Sequence, residues 1–233
     1  MDEVEIVNYD PRWPVLFNEE AKRLRAVLDP SLILGLEHFG STAVPNLSAK
    51  PIIDILIAVR SLTDAQATLV EALRKLDYVY WADNPKKDRM FFVKGMPPFG
   101  SRRSHHVHVT EPHGEMWQRL AFRDYLRAHP EESGTYERLK RRLAGEHQTD
   151  REAYADAKSA YVESVMRKAV TEGCPLLQVS DLAIPRLLHA GQVAAAGQCR
   201  GRRNRRLAEG AELEHDPEKW EPVFRKDHAP TRG

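Results

Sequence analysis

Cysteine is scarce in this sequence of 233 residues, which contains only Cys174 and Cys199. Two cysteines are too few for a disulfide framework or a cysteine-rich zinc site, so we expect a reducing compartment. An excess of charge is also missing, because 35 Lys and Arg residues oppose 34 Asp and Glu residues, for a formal net charge of +1. A chain-wide field that attracts nucleic acid or a membrane surface is therefore excluded, and any contact with a polyanion must be local.

Long apolar runs are absent as well. No stretch approaches the roughly 20 apolar residues of a membrane helix, and the first residues, MDEVEIVNYD, are acidic where a secretion signal is basic. We therefore predict a cytoplasmic protein that does not bind membranes. The composition of 42% hydrophobic and 30% charged residues is that of a folded protein, and the length suffices for one buried domain with an appendage.

The hydrophobic pattern predicts an α+β protein in which strands come first and helices later. Strand-like runs cover residues 4–7, 32–39, 52–59, 89–93 and 105–109. Helical spacing of apolar residues covers about residues 11–28, 63–76, 115–128, 130–144 and 150–170. Prolines and glycines between the last two strands predict a hairpin-like or lid-like loop. We expect a mixed β-sheet with flanking helices and a helical C-terminal part.

The pattern changes near residue 173, where periodic apolar content falls. We predict one domain over residues 1–172 and a C-terminal extension over residues 173–233 that is partly helical or disordered. Residues 200–206 form a basic cluster, but no aromatic residues alternate with the arginines. Base stacking requires such aromatics, so nucleic-acid binding is not predicted. The oligomeric state has no signature in the sequence.

The clearest candidate site is the segment GSTAVPNLSAKPIIDI, which begins with Gly40, Ser41 and Thr42. A Gly-Ser turn after a strand exposes backbone N–H groups and hydroxyls that suit a phosphate. Asp54 interrupts the apolar strand that follows, where a buried carboxylate needs a cation or hydrogen-bond donors, and Lys50 adds a mobile positive charge. A structural interpretation stays open, in which the hydroxyls cap the turn and Asp54 accepts hydrogen bonds from a neighbouring loop.

A second candidate is the segment SHHVHV, in which His106 and His108 share one face of a strand. With Asp54 they would chelate a metal, and two imidazoles favour Zn²⁺ or Mn²⁺ over Mg²⁺. The alternative is that the histidines are hydrogen-bonded strand residues or meet substrate phosphate as cations. Four basic residues near these strands are candidates for an anion clamp, or for a solvated loop surface: Arg89, Lys94, Arg102 and Arg103.

Several segments resemble the GrpB family, a branch related to the nucleotidyltransferase superfamily: EHFGSTAVPNLSAKPIIDILIAV, FFVKGMPPFGSRRSHHVHV, FRDYLRAHP, and YERLK followed by DREAYADAKSAYVE. They span about residues 4–170 in the same order. The resemblance implies a nucleotidyltransferase-like mixed sheet that carries the Gly-Ser turn and the acid. Within FRDYLRAHP we predict a structural ion pair between Arg123 and Asp124.

The resemblance also implies chemistry. Active nucleotidyltransferases place two acids one residue apart after the Gly-Ser turn and a third acid on a neighbouring strand, and together these hold two metal ions. Here Ile52 occupies the position of the first acid, Asp54 that of the second, and the neighbouring strand offers His106 and His108. One carboxylate can still hold Mg²⁺ with substrate phosphates and water.

We therefore predict metal-dependent transfer of a nucleoside monophosphate to an unknown acceptor. Gly40, Ser41 and Thr42 would bind phosphates, Lys50 would neutralise charge, Asp54 would hold Mg²⁺ or Mn²⁺, with Zn²⁺ as a further option, and His106 or His108 would act as ligand or base. Two alternatives are a catalytically degenerate module that binds nucleotide or phosphate, and a metal-dependent phosphohydrolase.

Overall fold

The computed structural model describes residues 3–112 and 114–172. Five strands form one mixed sheet: β1 Ile33–Phe39, β2 Ile53–Val59, β3 Tyr78–Tyr80, β4 Arg89–Lys94 and β5 His105–Thr110. Their order is β1-β2-β5-β4-β3; β2 and β5 run parallel, and the other neighbours run antiparallel. The predicted α+β class and mixed sheet are confirmed.

Seven helices surround the sheet in the described part of the chain: α1 Trp13–Val27, α2 Leu62–Arg74, α3 Glu115–Gln118, α4 Leu120–Ala128, α5 Pro130–Glu146, α6 Arg151–Asp156 and α7 Ser159–Thr171. Helices α1 and α2 bury their apolar faces against the odd-numbered residues of β2, such as Ile55 and Ile57. The alternation of a strand turns Leu56 and Ala58 to the opposite face, where α3 and α4 cover them. Asp54 belongs to this second face.

The helical C-terminal part has its own apolar core. Tyr125 and Leu126 of α4 pack against Tyr136 of α5 and Val165 of α7, and the cluster reaches Val44 behind the Gly-Ser turn. Helices α5 and α7 therefore pack on α4 and on the segment between β1 and β2. This docking places α5 to α7 beside the carboxylate-bearing face of the sheet.

Several predicted boundaries are wrong. Residues 4–7 form no strand; Val7 makes one isolated bridge with Ala49, and Val4 is buried against α5 and α6. The helices predicted over residues 115–128 and 150–170 are each broken in two, at Arg119 and just before Ser159. Sequence periodicity missed β3 because three residues are too few to show an alternating pattern.

Strands β4 and β5 form the predicted hairpin. Gly95 opens its loop with φ of +87°, and a Cβ at this position would collide with the carbonyl oxygen of Arg102. Ser104 N donates to Lys94 O over 3.0 Å and closes the loop. The loop is therefore folded back on itself at the end of the hairpin.

No helix among the described residues is long and apolar enough to cross a membrane. The predicted extension over residues 173–233 lies outside the described residues. The division of the chain near residue 173 therefore stays a prediction.

Candidate functional site

Asp54, His106 and His108 lie together on the face of the sheet that α1 and α2 leave uncovered. The parallel register of β2 and β5 pairs Asp54 with His106, and His108 follows two residues later on the same face, as the spacing predicts. Asp54 Oδ1 lies 3.0 Å from His106 Nδ1 and 3.8 Å from His108 Nε2. The first contact is a hydrogen bond, and the second is too long for one.

Aromatic rings hold the two imidazoles in place. The Phe91 ring centroid lies 5.0 Å from that of His106 and 4.7 Å from that of His108, and Phe39 contacts His108 from the other side. Burial lowers the pKa of His108, although Asp54 opposes this shift, so a neutral ring is favoured. His106 Nε2 and His108 Nδ1 are buried without a hydrogen-bond partner among the described residues.

Asp54 is ionised in this setting. Burial opposes ionisation, but the hydrogen bond from His106 and the neighbouring His108 hold the pKa of the carboxyl below its usual range. One ligand atom from each of the three residues lies within 4.8 Å of the others. Two imidazoles beside an ionised carboxylate fit a divalent cation, and a donor set of two nitrogens and one oxygen suits Zn²⁺ or Mn²⁺ better than Mg²⁺.

Gly40 brings the Gly-Ser turn against this carboxylate. Its backbone has φ of 71° and ψ of −169°, a conformation that is essentially restricted to glycine. A Cβ at this position would lie 2.5 Å from Asp54 Oδ2. The glycine was expected to let an anion approach the main chain, and in the structure the space above it belongs to the side chain of Asp54.

The turn continues as one 3₁₀ turn, Ser41–Ala43, in which the two hydroxyls differ in their surroundings. Thr42 is buried; its hydroxyl contacts His38 Nε2 at 3.1 Å and lies 3.5 Å from the carbonyl oxygen of Ile52. These contacts hold the turn to the start of β2. Ser41 instead lies beside the phenol of Tyr136, whose pKa burial raises to about 12 despite the hydrogen bond with Ser41.

A cavity of about 210 Å³ opens between the turn, the start of β2 and helices α5 to α7. Gly40, Ser41, Asp54 and His106 line it. Five basic side chains complete its wall: Lys50, Arg119, Arg123, Lys140 and Lys158. The hydroxyl-bearing turn and the carboxylate thus share one cavity with basic side chains, of which Arg119 and Arg123 also pair with neighbouring carboxylates.

Lys140 is a buried lysine on α5, with 1% of its surface exposed. Its ammonium group donates a hydrogen bond to the carbonyl oxygen of Ser48 and lies 4.9 Å from the centroid of the Tyr136 ring. Burial lowers the pKa of Lys140 to about 7, although Glu137 opposes the shift. An anion in the cavity would offset this desolvation.

Lys158, at the junction of α6 and α7, lies 3.9 Å from the centroid of the Tyr154 ring, and Lys50 lies 5.0 Å from the same centroid. Burial lowers the pKa of Lys158 to about 7, and repulsion from Lys50 and Lys140 adds to the effect. An anion bound between these lysines would relieve their mutual repulsion and favour their charged forms. The cavity therefore has the electrostatics of a phosphate site.

Two of the predicted phosphate contacts lie elsewhere. Arg89 pairs with Asp88 over 2.9 Å, and Lys94 pairs with Glu20 over 2.7 Å. Neither side chain lines the cavity. Lys94 lies near α1 on the opposite face of the sheet, because adjacent residues of a strand alternate between faces.

The sequence reasoning missed Lys140, Lys158 and Arg119. The sequence does indicate that Lys140 is buried, because Tyr136, Lys140 and Leu143 recur at helical spacing and place this lysine within an apolar stripe. A lysine at such a position needs a partner inside the protein or a ligand. Arg119 has no comparable signal, since it is the residue at which the predicted third helix breaks.

The predicted ion pair of Arg123 and Asp124 is present, with Nε and Oδ1 2.8 Å apart. The buried guanidinium also donates to Glu37 and to the carbonyl oxygen of His38, each over 2.8 Å. Arg123 therefore joins α4 to β1 immediately before the turn and fixes the floor of the cavity.

Comparison with known proteins identifies the family. The model of the GrpB protein family matches residues 3–168. This chain belongs to the GrpB family. A relative, the UPF0157 protein PA4798 of Pseudomonas aeruginosa, is 44% identical over 194 residues, covering 82% of this chain and 78% of that protein. The resemblance noted in the sequence is confirmed.

One solved structure of the family shares the fold. The crystal structure of GrpB from Enterococcus faecalis matches with a TM-score of 0.64 and 33% identity, and the match covers 73% of this chain and 100% of that chain. Terminal uridylyl transferase 4 from Trypanosoma brucei with bound CTP is more distant, with a TM-score of 0.42, 14% identity, and coverage of 79% of this chain and 57% of that chain. At that distance we draw no functional conclusion from it.

Proposed function

We propose that this GrpB protein binds a nucleoside triphosphate together with a divalent cation and transfers the nucleoside monophosphate to a second substrate. One observation carries the proposal: the Gly-Ser turn, Asp54 and the positive wall of α5 to α7 line the same cavity. Cations on one side and a carboxylate on the other suit a phosphate chain bound with its metal ion.

The size of the cavity supports phosphates, rather than a whole nucleotide, as its occupant. Pockets for whole small molecules measure about 300–1,000 Å³, whereas this cavity measures about 210 Å³. We place the phosphates against Ser41, Lys50, Lys140 and Lys158, with the nucleoside outside the opening. Asp54 and His108 would hold the cation, which when bound neutralises charge on the phosphate oxygens.

His106 is suited to the role of general base. With Nδ1–H donated to Asp54, its Nε2 is the acceptor nitrogen, and this atom has no hydrogen-bond partner in the described chain. The acceptor hydroxyl loses its proton to Nε2 as its oxygen bonds to the α-phosphorus. The bond from that phosphorus to the bridging oxygen breaks, and pyrophosphate leaves. Asp54 orients the ring and stabilises the imidazolium that forms.

The test is a calorimetric titration of the full chain with ATP or CTP in the presence of Mg²⁺ or Mn²⁺, combined with a pyrophosphate assay. Asp54→Asn should remove the cation-dependent part of the affinity, and Lys158→Gln should weaken binding about tenfold. Lys22→Gln, which changes an exposed lysine of α1, should bind as the wild type does. Equal affinities for wild type and Asp54→Asn, or no binding by either, would contradict the proposal.

A second candidate is metal-dependent phosphohydrolysis, which the donor set of Asp54, His106 and His108 favours. It requires that the purified protein contain or take up Zn²⁺ or Mn²⁺ and release orthophosphate without an acceptor. Ile52 at the position of an acid favours a third outcome, a module that binds nucleotide without turnover. Such a module would show ligand-dependent thermal stabilisation and no product.

A cytoplasmic location fits each of these functions, because nucleoside triphosphates are abundant there. Fractionation of cells that express the chain would check this location.

A further inference from the structure

A second cavity, of about 470 Å³, lies beside the first, and Lys50 and Ile52 line both. Three further parts of the chain complete its wall: the N-terminal segment at Glu3 and Glu5, the β4–β5 loop at Arg102 and Arg103, and Arg151 at the start of α6. Its volume falls within the range of small-molecule sites, about 300–1,000 Å³. The first cavity alone does not reach that size.

The lining of the second cavity is positive. Lys50, Arg102, Arg103 and Arg151 contribute four cationic side chains, against the two carboxylates of Glu3 and Glu5. Arg102 Nη2 and Glu5 Oε2 pair over 3.4 Å, but the two side chains are 73% and 63% exposed. Exposed pairs of this kind contribute little to stability, so a phosphate can displace Glu5 from Arg102 at small cost. Guanidinium groups then bind phosphate through two parallel hydrogen bonds.

The arginines stand on a folded loop. The left-handed Gly95 admits the carbonyl of Arg102, and Gly100 packs so closely that a Cβ would lie 2.9 Å from the carbonyl oxygen of Gly95. Phe99 N donates to Met96 O over 2.9 Å. This compact loop limits the positions that Arg102 and Arg103 can take, so less ordering is required when an anion binds.

Ile52 has a physical role in this arrangement. It stands where a related enzyme carries its first acid, and its side chain lines both cavities. A carboxylate at this position would place a negative charge between two anions. An apolar residue removes that repulsion, and Lys50 on the same segment attracts an anion on either side.

We propose that the second cavity binds the acceptor substrate and that this acceptor is a small molecule with a phosphate monoester. The inference rests on the proposed function, because only a transferase needs two substrates side by side. The phosphate occupies Arg102, Arg103 and Arg151, which directs the remainder of the acceptor, including its hydroxyl, towards Lys50 and the first cavity. The same hydroxyl is the one that His106 deprotonates.

The test is a calorimetric titration that counts the anion-binding sites per chain with two probes, pyrophosphate and glycerol 3-phosphate. Pyrophosphate should bind wild type with two equivalents per chain, and glycerol 3-phosphate should bind in the second cavity. The double variant Arg102→Gln/Arg151→Gln should keep one pyrophosphate equivalent and bind glycerol 3-phosphate at least about tenfold more weakly. Arg142→Gln, an exposed arginine on α5 that lines neither cavity, is the matched control. Melting curves show whether each variant is folded.

The outcomes separate the two proposals. A single equivalent in wild type, or an unchanged double variant, overturns the acceptor site and leaves the nucleotide site standing. Lys158→Gln should weaken the other pyrophosphate site about tenfold, so two unchanged pyrophosphate affinities in that variant contradict the proposed function instead. Succinate that binds as tightly as glycerol 3-phosphate would overturn the assignment of a phosphate. Single-stranded RNA that competes with glycerol 3-phosphate, when free nucleotides do not, would overturn the assignment of a small molecule.

Discussion

Replacing Gly40 by alanine tests the centre of the site. At φ of 71° and ψ of −169°, an alanine costs about 1–3 kcal/mol in backbone strain. Its Cβ would also lie 2.5 Å from Asp54 Oδ2, a distance that real Cβ contacts do not reach, so the carboxylate or the turn must move. Together these effects should lower the free energy of unfolding by roughly 2–4 kcal/mol, or the melting temperature by about 5–15 °C.

Urea unfolding followed by circular dichroism measures the free energy of unfolding. Calorimetric titration with Mn²⁺ measures the affinity for the cation, which should fall if the carboxylate of Asp54 is displaced. Gly145→Ala is the matched control, because a Cβ there meets nothing within 4 Å and the residue lies in α5. Alanine in a helix should stabilise the protein by up to about 1 kcal/mol. If Gly40→Ala unfolds at the same urea concentration as the wild type and binds Mn²⁺ equally well, the contact between turn and carboxylate has been misjudged.

Three further predictions concern stability. Since Lys140 has a pKa of about 7 when folded and 10.5 as its ordinary value, the unfolded state holds the extra proton between these values, and Lys140 should raise the free energy of unfolding between pH 7 and 10.5 by at most about 5 kcal/mol. Lys140→Met should make the rise with pH smaller and leave the similar contribution of Lys158, and parallel pH profiles for the two proteins would contradict the burial of a titrating lysine. Arg123→Met leaves the carboxylates of Glu37 and Asp124 without their buried partner and should cost about 3–5 kcal/mol in urea unfolding; a change below about 1 kcal/mol would show that the network is not stabilising. Deletion of residues 174–233 should leave the melting temperature of the remaining domain nearly unchanged, and a large fall in differential scanning calorimetry would refute the predicted division of the chain.

Four of the five strands and the position of Asp54 were predictable because both depend on local pattern. An apolar run with one acid indicates a buried strand with a special position, and β2 begins and ends within one residue of that expectation. The spacing of His106 and His108 placed them on one face. The parallel register that sets Asp54 opposite His106 was not predictable, since it arises from pairing between strands about 50 residues apart.

The positive wall of the cavity escaped prediction for a related reason. Lys140 lies within α5 and Lys158 at the junction of α6 and α7, and the cavity that both of them line is formed only when α5 to α7 dock. Conversely, Lys94 looked available because its acidic partner could not be paired with it from the pattern alone. Glu20, the partner of Lys94, comes from α1, 74 residues away in the sequence.

The lysines of the cavity meet across the boundary between the sheet and the helical part. Lys50 belongs to the sheet side and Lys158 to the junction of α6 and α7, and both lie against the ring of Tyr154. Their mutual repulsion opposes the association of the two halves, and an anion held between them would reverse that force. Amide hydrogens of α6 and α7 should therefore exchange with solvent more slowly when the cavity is filled. A bound substrate would then stabilise the contact between the sheet and the helical part, in addition to reacting.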